Sequence, residues 1–98
     1  ILDYSRIACN LAALRVEPPM EKSIYSRRYA LFAKLLRAAR EEAGFTQEEV
    51  ATRLETTQTF ISKCERGERR LDVIELCSWC EALGIPASQF VAELEQKF

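Results

Sequence analysis

Apolar residues recur every three or four positions along most of the chain, and this spacing predicts helices and no sheet. Glycine, proline and helix-capping residues divide the pattern into segments. We predict five helices, at about 27–43, 47–55, 58–66, 73–83 and from Pro86 onward. The expected fold class is therefore all-α, a compact five-helix domain over residues 26–95.

Residues 1–25 precede this domain and are interpreted as an N-terminal extension. Apolar residues at helical spacing predict one further helix over residues 3–16, with Asp3 as its N-cap. Two consecutive prolines would end that helix. A methionine follows them directly, so whether residues 1–19 belong to the native protein is left open.

Capping signals mark the starts of the second and fourth helices. Thr46 with Glu49, and Asp72 with Glu75, are each spaced as a capping box, in which two residues exchange side-chain-to-backbone hydrogen bonds. The second and third helices are about eight residues long and would not be stable in isolation. Ala51 lies where these two helices would cross, and its small side chain permits close approach. This arrangement predicts a helix-turn-helix.

The apolar stripe of the fourth helix contains two of the four cysteines. The residues expected to face the core are Val73, Leu76, Cys77, Cys80 and Leu83. Cys77 and Cys80 have the spacing of half a zinc site, but the chain has no histidine. The other two cysteines, Cys9 and Cys64, do not complete a zinc-like spacing. We therefore expect buried thiols, with no metal site and no cofactor.

The composition excludes several classes of protein. The 98 residues contain 14 basic and 15 acidic side chains but no histidine, the commonest general base. No apolar run is long enough to span a bilayer, and the start of the chain lacks the pattern of a secretory signal. We therefore expect a cytoplasmic protein that is not an enzyme and does not contact a membrane.

The net charge of −1 hides an uneven distribution along the chain. Residues 26–70 carry ten basic and seven acidic side chains, whereas residues 71–98 carry one and five. The basic surplus therefore lies in the segment that contains the helix-turn-helix, where contact with phosphate would require it. Because the surplus is modest, we expect DNA binding that depends on dimerisation.

Residues 29–92 resemble the Xre-like helix-turn-helix domains of the Cro and phage-repressor type. The features that coincide, in the motif at 47–66 and around it, are Arg40, Gly44, Gln47, Ala51, Ile61-Ser62, Glu65-Arg66-Gly67 and Leu83-Gly84. The resemblance implies a repressor-like fold and a partly buried ion pair between Arg40 and Glu65. The chain departs from the family at Glu55, because many members have glycine in the turn between the two helices.

The resemblance also implies which residues contact DNA. The implied set is Gln47, Thr57, Gln58, Thr59, Ser62, Lys63 and Arg66. Gln47 would hold a phosphate at the start of the second helix, and the third helix would lie in the major groove. There Gln58 would pair with adenine, Thr59 would contact a thymine methyl group and Lys63 would contact a guanine edge.

We expect a sequence-specific DNA-binding transcriptional regulator, a dimeric repressor that reads the major groove with the helix at 58–66. A homodimer is expected because one helix-turn-helix reads only a few base pairs. Its surface would be the last helix, through Phe90, Val91, Leu94 and Phe98, although that helix could instead close the core. The expected partner is double-stranded DNA of the nucleoid, and a small-molecule effector is left open.

Three alternative functions stay open on the sequence alone. Two belong to the same class, because a controller protein of a restriction-modification system and the antitoxin of a toxin pair use similar domains. The third belongs to another class, a protein-interaction module in which the exposed residues of the third helix do not contact DNA.

Overall fold

The computed structural model describes residues 22–98, with side chains from Ser26 onward. Its helices are α1 (Lys22–Glu42), α2 (Gln47–Arg53), α3 (Gln58–Glu65), α4 (Val73–Leu83) and α5 (Ala87–Lys97). No strand occurs between residues 22 and 98, and the predicted all-α class and five-helix domain are confirmed. The first helix is already formed at Lys22, inside the segment that we assigned to the N-terminal extension. The helix predicted over residues 3–16 lies outside the described residues.

Reciprocal hydrogen bonds fix the starts of α2 and α4. Thr46 Oγ1 accepts from the backbone N–H of Glu49 at 3.1 Å, and Glu49 Oε1 accepts from the N–H of Thr46 at 3.0 Å. Asp72 and Glu75 form the same pair at α4, at 2.7 and 2.9 Å. The bond from the Thr46 backbone lowers the pKa of the Glu49 carboxyl group. Both predicted capping boxes are confirmed, and they satisfy N–H groups that the first turn of a helix leaves free.

One apolar face of each helix contributes to a single core. Its largest fully buried side chains are Leu36, Val50, Ile61, Cys64, Trp79, Cys80 and Phe90. Phe32 of α1 meets Phe90 of α5 edge to face, with ring centroids 5.7 Å apart. This contact joins the first helix to the last across the domain.

The core-facing side of α4 differs from the prediction at two positions. Val73 and Cys77 are exposed, so the expectation that both are buried was wrong. The residues of α4 that face the core are Leu76, Trp79, Cys80 and Leu83. A helix turns by about 100° per residue, which places Cys77 well to one side of Leu76. Val73 lies in the first turn, where its side chain is 72% exposed.

The helix-turn-helix is formed by α2 and α3, which pack on each other more extensively than any other pair of described helices. Ala51 of α2 is buried, as its small side chain and position predict. The connecting turn contains Glu55, whose φ of +55° lies in the left-handed region. A residue with a Cβ atom is strained there by about 1 kcal/mol or more, because the Cβ atom approaches the following carbonyl oxygen.

We predict that Glu55→Gly raises the free energy of unfolding by up to about 1 kcal/mol. The gain comes from the released strain and is reduced by the flexibility that glycine adds to the unfolded chain. Denaturation by urea, followed by circular dichroism, measures it. Glu55→Ala is the matched control, since it removes the charge but keeps the strain. Equal stabilisation by both variants would assign the effect to charge instead.

Candidate nucleic-acid interface

Apart from Glu65, which is buried, the polar residues of α3 and its two ends lie on one exposed side of the helix. The exposed side chains here are Thr57, Gln58, Thr59, Lys63 and Arg66, and Ser62 is half-buried among them. Ile61 and Cys64 lie on the other side and are fully buried. The helical period explains this division, because residues 58, 62 and 66 follow one another at intervals of four. The sequence therefore presents a row of hydrogen-bonding groups on an anchored helix.

Two members of this row also hold the ends of α3. Thr57 is the N-cap, and its Oγ1 accepts from the N–H of Phe60 at 3.1 Å. Arg66 follows the last residue of the helix, and its guanidinium group donates to Ser62 Oγ and forms an ion pair with Glu68. The distance from Arg66 Nε to Glu68 Oε2 is 2.7 Å. Arg66 therefore already has an anionic partner, which a DNA phosphate would have to displace.

Arg40 and Glu65 form a buried ion pair between α1 and α3. Arg40 Nε donates to Glu65 Oε2 at 2.6 Å and Arg40 Nη2 donates to Glu65 Oε1 at 3.0 Å, so the contact is bidentate. A third donor, Arg40 Nη1, reaches the backbone carbonyl of Phe45 at 2.8 Å. The hydrogen bond to Glu65 raises the pKa of Arg40. Each residue is only 9% exposed, so the two charges depend on each other for solvation.

Gln47 lies between this ion pair and the exposed side of α3. Its Nε2 donates to Glu65 Oε1 at 3.0 Å, and its Oε1 accepts from Gln58 Nε2 at 2.8 Å. From the sequence, Gln47 was expected to bind a phosphate, and neither of these two contacts was predicted. Its spacing from Glu65 and Gln58 carries no signal for them, since the three side chains meet only when α2 and α3 cross.

Most of the basic side chains near the motif have partners within the protein. Arg69 pairs with Glu75, with Nη2 and Oε2 2.9 Å apart, and its guanidinium carbon is 5.2 Å from the centre of the Phe60 ring. Arg53 donates to the carbonyl of Ala82 at 3.1 Å. These contacts leave less of the positive charge of residues 26–70 available to bind phosphate. The side chain of Lys63 is exposed, and no hydrogen bond or ion pair of its ammonium group is observed within the described residues.

The last helix does not present all four residues predicted for a dimer surface. Phe90 is 1% exposed and belongs to the core, so its assignment to an interface was wrong. Val91 and Phe98 are 38% and 53% exposed, and Leu94 is half-buried. The guanidinium carbon of Arg28 lies 4.5 Å from the centre of the Phe98 ring.

An apolar groove of about 330 Å³ lies beside Leu94 and Phe98. Its other walls include Phe32 of α1 and Leu76 of α4, and Val73 lines one edge. Val73 and Ile74 are both more than 70% exposed, and neither was predicted to belong to an interaction surface. No spacing signal in the sequence identifies them, because consecutive apolar residues of a helix can also both be buried, as Leu35 and Leu36 are.

The described cysteines have no arrangement suited to a metal. Burial raises the pKa of Cys64 to about 11 and that of Cys80 to about 11, so both are protonated thiols near neutral pH. Cys77 is exposed. Within residues 22–98, no group of three or more cysteine and acidic side chains is placed to hold a metal ion. None of the helices in this part of the chain is long and apolar enough to span a membrane.

Comparison with known proteins agrees with this geometry. A family model described as "Helix-turn-helix domain" matches residues 31–92. An uncharacterized HTH-type transcriptional regulator of Sinorhizobium fredii, y4dJ, is 38% identical over 65 residues, which cover 66% of this chain and 79% of the relative. Among solved structures, an XRE-family like protein from Pseudomonas syringae is 43% identical with a TM-score of 0.72, over 78% of this chain and 93% of its own.

A second solved structure is that of a restriction-modification controller protein, C.Esp1396I, whose tetramer was solved in complex with its natural 35 base-pair operator. It is 26% identical to this chain with a TM-score of 0.65, over 70% of this chain and 91% of its own. The fold and the exposed polar side of α3 define a helix-turn-helix DNA-binding domain. The chain belongs to the Xre-like helix-turn-helix family, which consists of transcriptional regulators and not of enzymes.

We predict that Glu65→Ala lowers the free energy of unfolding by about 3–5 kcal/mol, because it leaves the Arg40 charge buried and unpaired. Replacing both partners, in Arg40→Met with Glu65→Leu, is expected to cost less than the single change. Thermal and urea denaturation of the three proteins provide the comparison. An exposed pair, Arg37 with Glu41, is the control, since removing Glu41 should cost less than about 1 kcal/mol. Equal losses at the two sites would contradict a buried, mutually dependent pair.

Proposed function

We propose that this chain is a dimeric repressor that reads operator DNA by placing α3 in the major groove. The observation that carries the proposal is the exposed row of polar side chains on α3, above the fully buried Ile61 and Cys64. A helix of this kind can enter the major groove while its apolar side stays on the core. We further propose that it acts in the cytoplasm, at the nucleoid.

Each polar residue of the interface has a proposed role. Gln58 reads adenine, since an amide offers both the donor and the acceptor that the adenine edge requires. Thr59 contacts a thymine methyl group and Lys63 a guanine edge, whereas Ser62 and Arg66 contact the backbone or a neighbouring base. Thr57 contributes its hydroxyl group to a phosphate while it caps α3.

Gln47 is proposed to reach a phosphate through its second amide N–H. Its first N–H and its carbonyl oxygen are already used, by Glu65 and by Gln58. The first turn of α2 carries the acidic residues Glu48 and Glu49, which oppose a phosphate at this helix end. Its contribution to affinity should therefore be small.

The proposed partner for the apolar surface of α4 and α5 is a second copy of this chain. Val91 on α5, Phe98 directly after α5 and Val73 on α4 are exposed, and Leu94 of α5 lines the apolar groove. Both Arg28 and Asp72 line that groove, so a two-fold pairing can place a positive side chain of one copy against a negative one of the other. Two half-sites about one DNA turn apart would then be read together.

A controller protein of a restriction-modification system is the second candidate. It is favoured by the likeness to C.Esp1396I over 70% of this chain. The two candidates predict the same domain and the same mode of reading, and they differ in which genes are regulated.

We predict that selection from random duplexes enriches a two-fold site and that Gln58→Ala weakens binding to it by about 1–3 kcal/mol. Gln89→Ala is the matched control, because Gln89 is an exposed glutamine on α5 and should leave the affinity unchanged. The logarithm of the affinity should also fall linearly with that of the salt concentration, with a slope of about −0.9 per phosphate contacted. The proposal fails if no site is enriched, or if Gln58→Ala binds as well as the parent.

We predict that the mass measured by sedimentation equilibrium rises with concentration from 11.2 kDa towards twice that value. Val91→Glu should keep the protein monomeric, because it places a charge in an apolar contact. Ala92→Glu introduces the same charge on a different side of α5 and serves as the control. If Val91→Glu dimerises normally and Val73→Glu does not, the surface lies on α4 alone. Normal dimerisation of both would exclude this surface.

A further inference from the structure

Two arginines of the loop between α3 and α4 are each paired with a carboxylate of the same chain. Arg66 Nε lies 2.7 Å from Glu68 Oε2, and Arg69 Nη2 lies 2.9 Å from Glu75 Oε2. The arginine side chains are 53% and 46% exposed, so DNA could reach both. Arg66 directly follows α3, and the guanidinium carbon of Arg69 is 5.2 Å from the centre of the Phe60 ring of α3. A phosphate that approaches α3 must therefore compete with a carboxylate for each of these two charges.

The backbone after α3 holds Glu68 next to Arg66. Gly67 has a φ of +77°, in the left-handed region that favours glycine, and the chain reverses there. The N–H of Glu68 then donates to the carbonyl of Lys63 at 2.9 Å. Arg66 also donates to Ser62 Oγ, so its guanidinium group is held from two sides. The hydrogen bond from Arg66 lowers the pKa of the Glu68 carboxyl group, which is therefore ionised at neutral pH.

The start of α4 holds Glu75 in a similar way. Its Oε1 accepts from the N–H of Asp72 at 2.9 Å in the capping box, and its Oε2 pairs with Arg69. One carboxylate thus caps a helix and holds an arginine. Because backbone contacts place Glu68 and Glu75 before the ion pairs form, these pairs lose less side-chain entropy than two freely moving side chains would.

We propose that Glu68 and Glu75 are specificity-determining residues, because they hold Arg66 and Arg69 in ion pairs and so lower the affinity for DNA that lacks an operator. This inference rests on the proposed reading of operator DNA by α3. Affinity for DNA without an operator comes from phosphate contacts in many registers, and a released arginine would strengthen each of them. On the operator, the base contacts of α3 fix one register, and a released arginine gains only in that one. The two carboxylates therefore increase the preference for the operator.

The test measures the affinity for the selected operator and for a scrambled duplex of the same composition, at several salt concentrations. Glu68→Gln should bind the scrambled duplex about 2- to 5-fold more tightly than the parent, the range that the strength of exposed ion pairs allows. The slope of the logarithm of this affinity against that of the salt concentration should steepen by up to about 0.9, since one more arginine can neutralise a phosphate. The ratio of operator to scrambled affinity should fall to about half of the parent value or less.

Glu75→Gln is the second variant, and the same changes are expected for it. Glutamine can still accept from the N–H of Asp72, so the capping box at α4 is kept. Glu93→Gln is the matched control for charge, because Glu93 is exposed on α5 beside Leu31 and Lys34 of α1. It should change the affinity by less than about 1.5-fold, since salt screens a charge that is remote from α3. Circular dichroism sets a temperature at which each protein is folded.

A double variant tests whether Glu68 acts through Arg66. In an Arg66→Gln background, adding Glu68→Gln should have no more effect than Glu93→Gln has in the parent. The inference is overturned if Glu68→Gln tightens binding equally in that background. It is also overturned if either Glu68→Gln or Glu75→Gln binds the scrambled duplex no more tightly than Glu93→Gln. Failure of the proposed function looks different, because the parent itself would then show no operator preference, and the inference would fail with it.

Discussion

The buried ion pair between Arg40 and Glu65 determines how α3 is held against the other helices. It joins α1 to the C-terminal end of α3, and its third donor bonds to the carbonyl of Phe45, just before α2. The three helices are therefore fixed to one another at a single point. An apolar pair of similar volume could stabilise the fold as well, because burying two charges is costly. An apolar pair would offer no acceptor to Gln47, and this difference connects the stability of the domain to the chemistry of its DNA-binding surface.

Most of the charged side chains near the interface form ion pairs with one another. Glu68 pairs with Arg66, and Glu75 pairs with Arg69. Exposed pairs of this kind contribute little to stability, because water solvates the separated charges well. They do restrict where the positive charges lie before DNA arrives, and phosphates must compete with carboxylates for them. A single subunit with this arrangement gains little from non-specific attraction, and the small basic surplus of residues 26–70 is consistent with that.

Features that depend on neighbours along the chain were predictable from the sequence, whereas features that depend on contacts between helices were not. The capping boxes at Thr46 and Asp72 need only residues three positions apart, so the starts of α2 and α4 were correct. Whether Val73 and Trp79 are buried depends on which side of α4 the other helices cover. The helical period alone does not determine that side. The fold class followed from the first kind of feature, and the errors in the core came from the second.

The same distinction, between features set along the chain and features set by contacts between helices, applies to the candidate site. The exposure of the polar side of α3 follows from its period, with Ile61 and Cys64 on the other side. The resemblance of the chain to Xre-like domains also predicted the pairing of Arg40 with Glu65, a contact between residues 25 positions apart. Neither source indicated that Gln47 would bond to both Glu65 and Gln58, because such contacts require two helices at a fixed angle.

The angle between α2 and α3 therefore also determines whether Gln47 and Gln58 can form their hydrogen bond. Ala51 allows the close crossing, and Glu55 adopts a strained left-handed conformation in the turn that produces it. A change in that angle that moves the two amides apart by about a few tenths of an ångström would lengthen the 2.8 Å bond between Gln47 and Gln58. The strained turn and the contact between Gln47 and Gln58 are linked in this sense, because the same crossing of α2 and α3 supplies both the packing and the hydrogen bond.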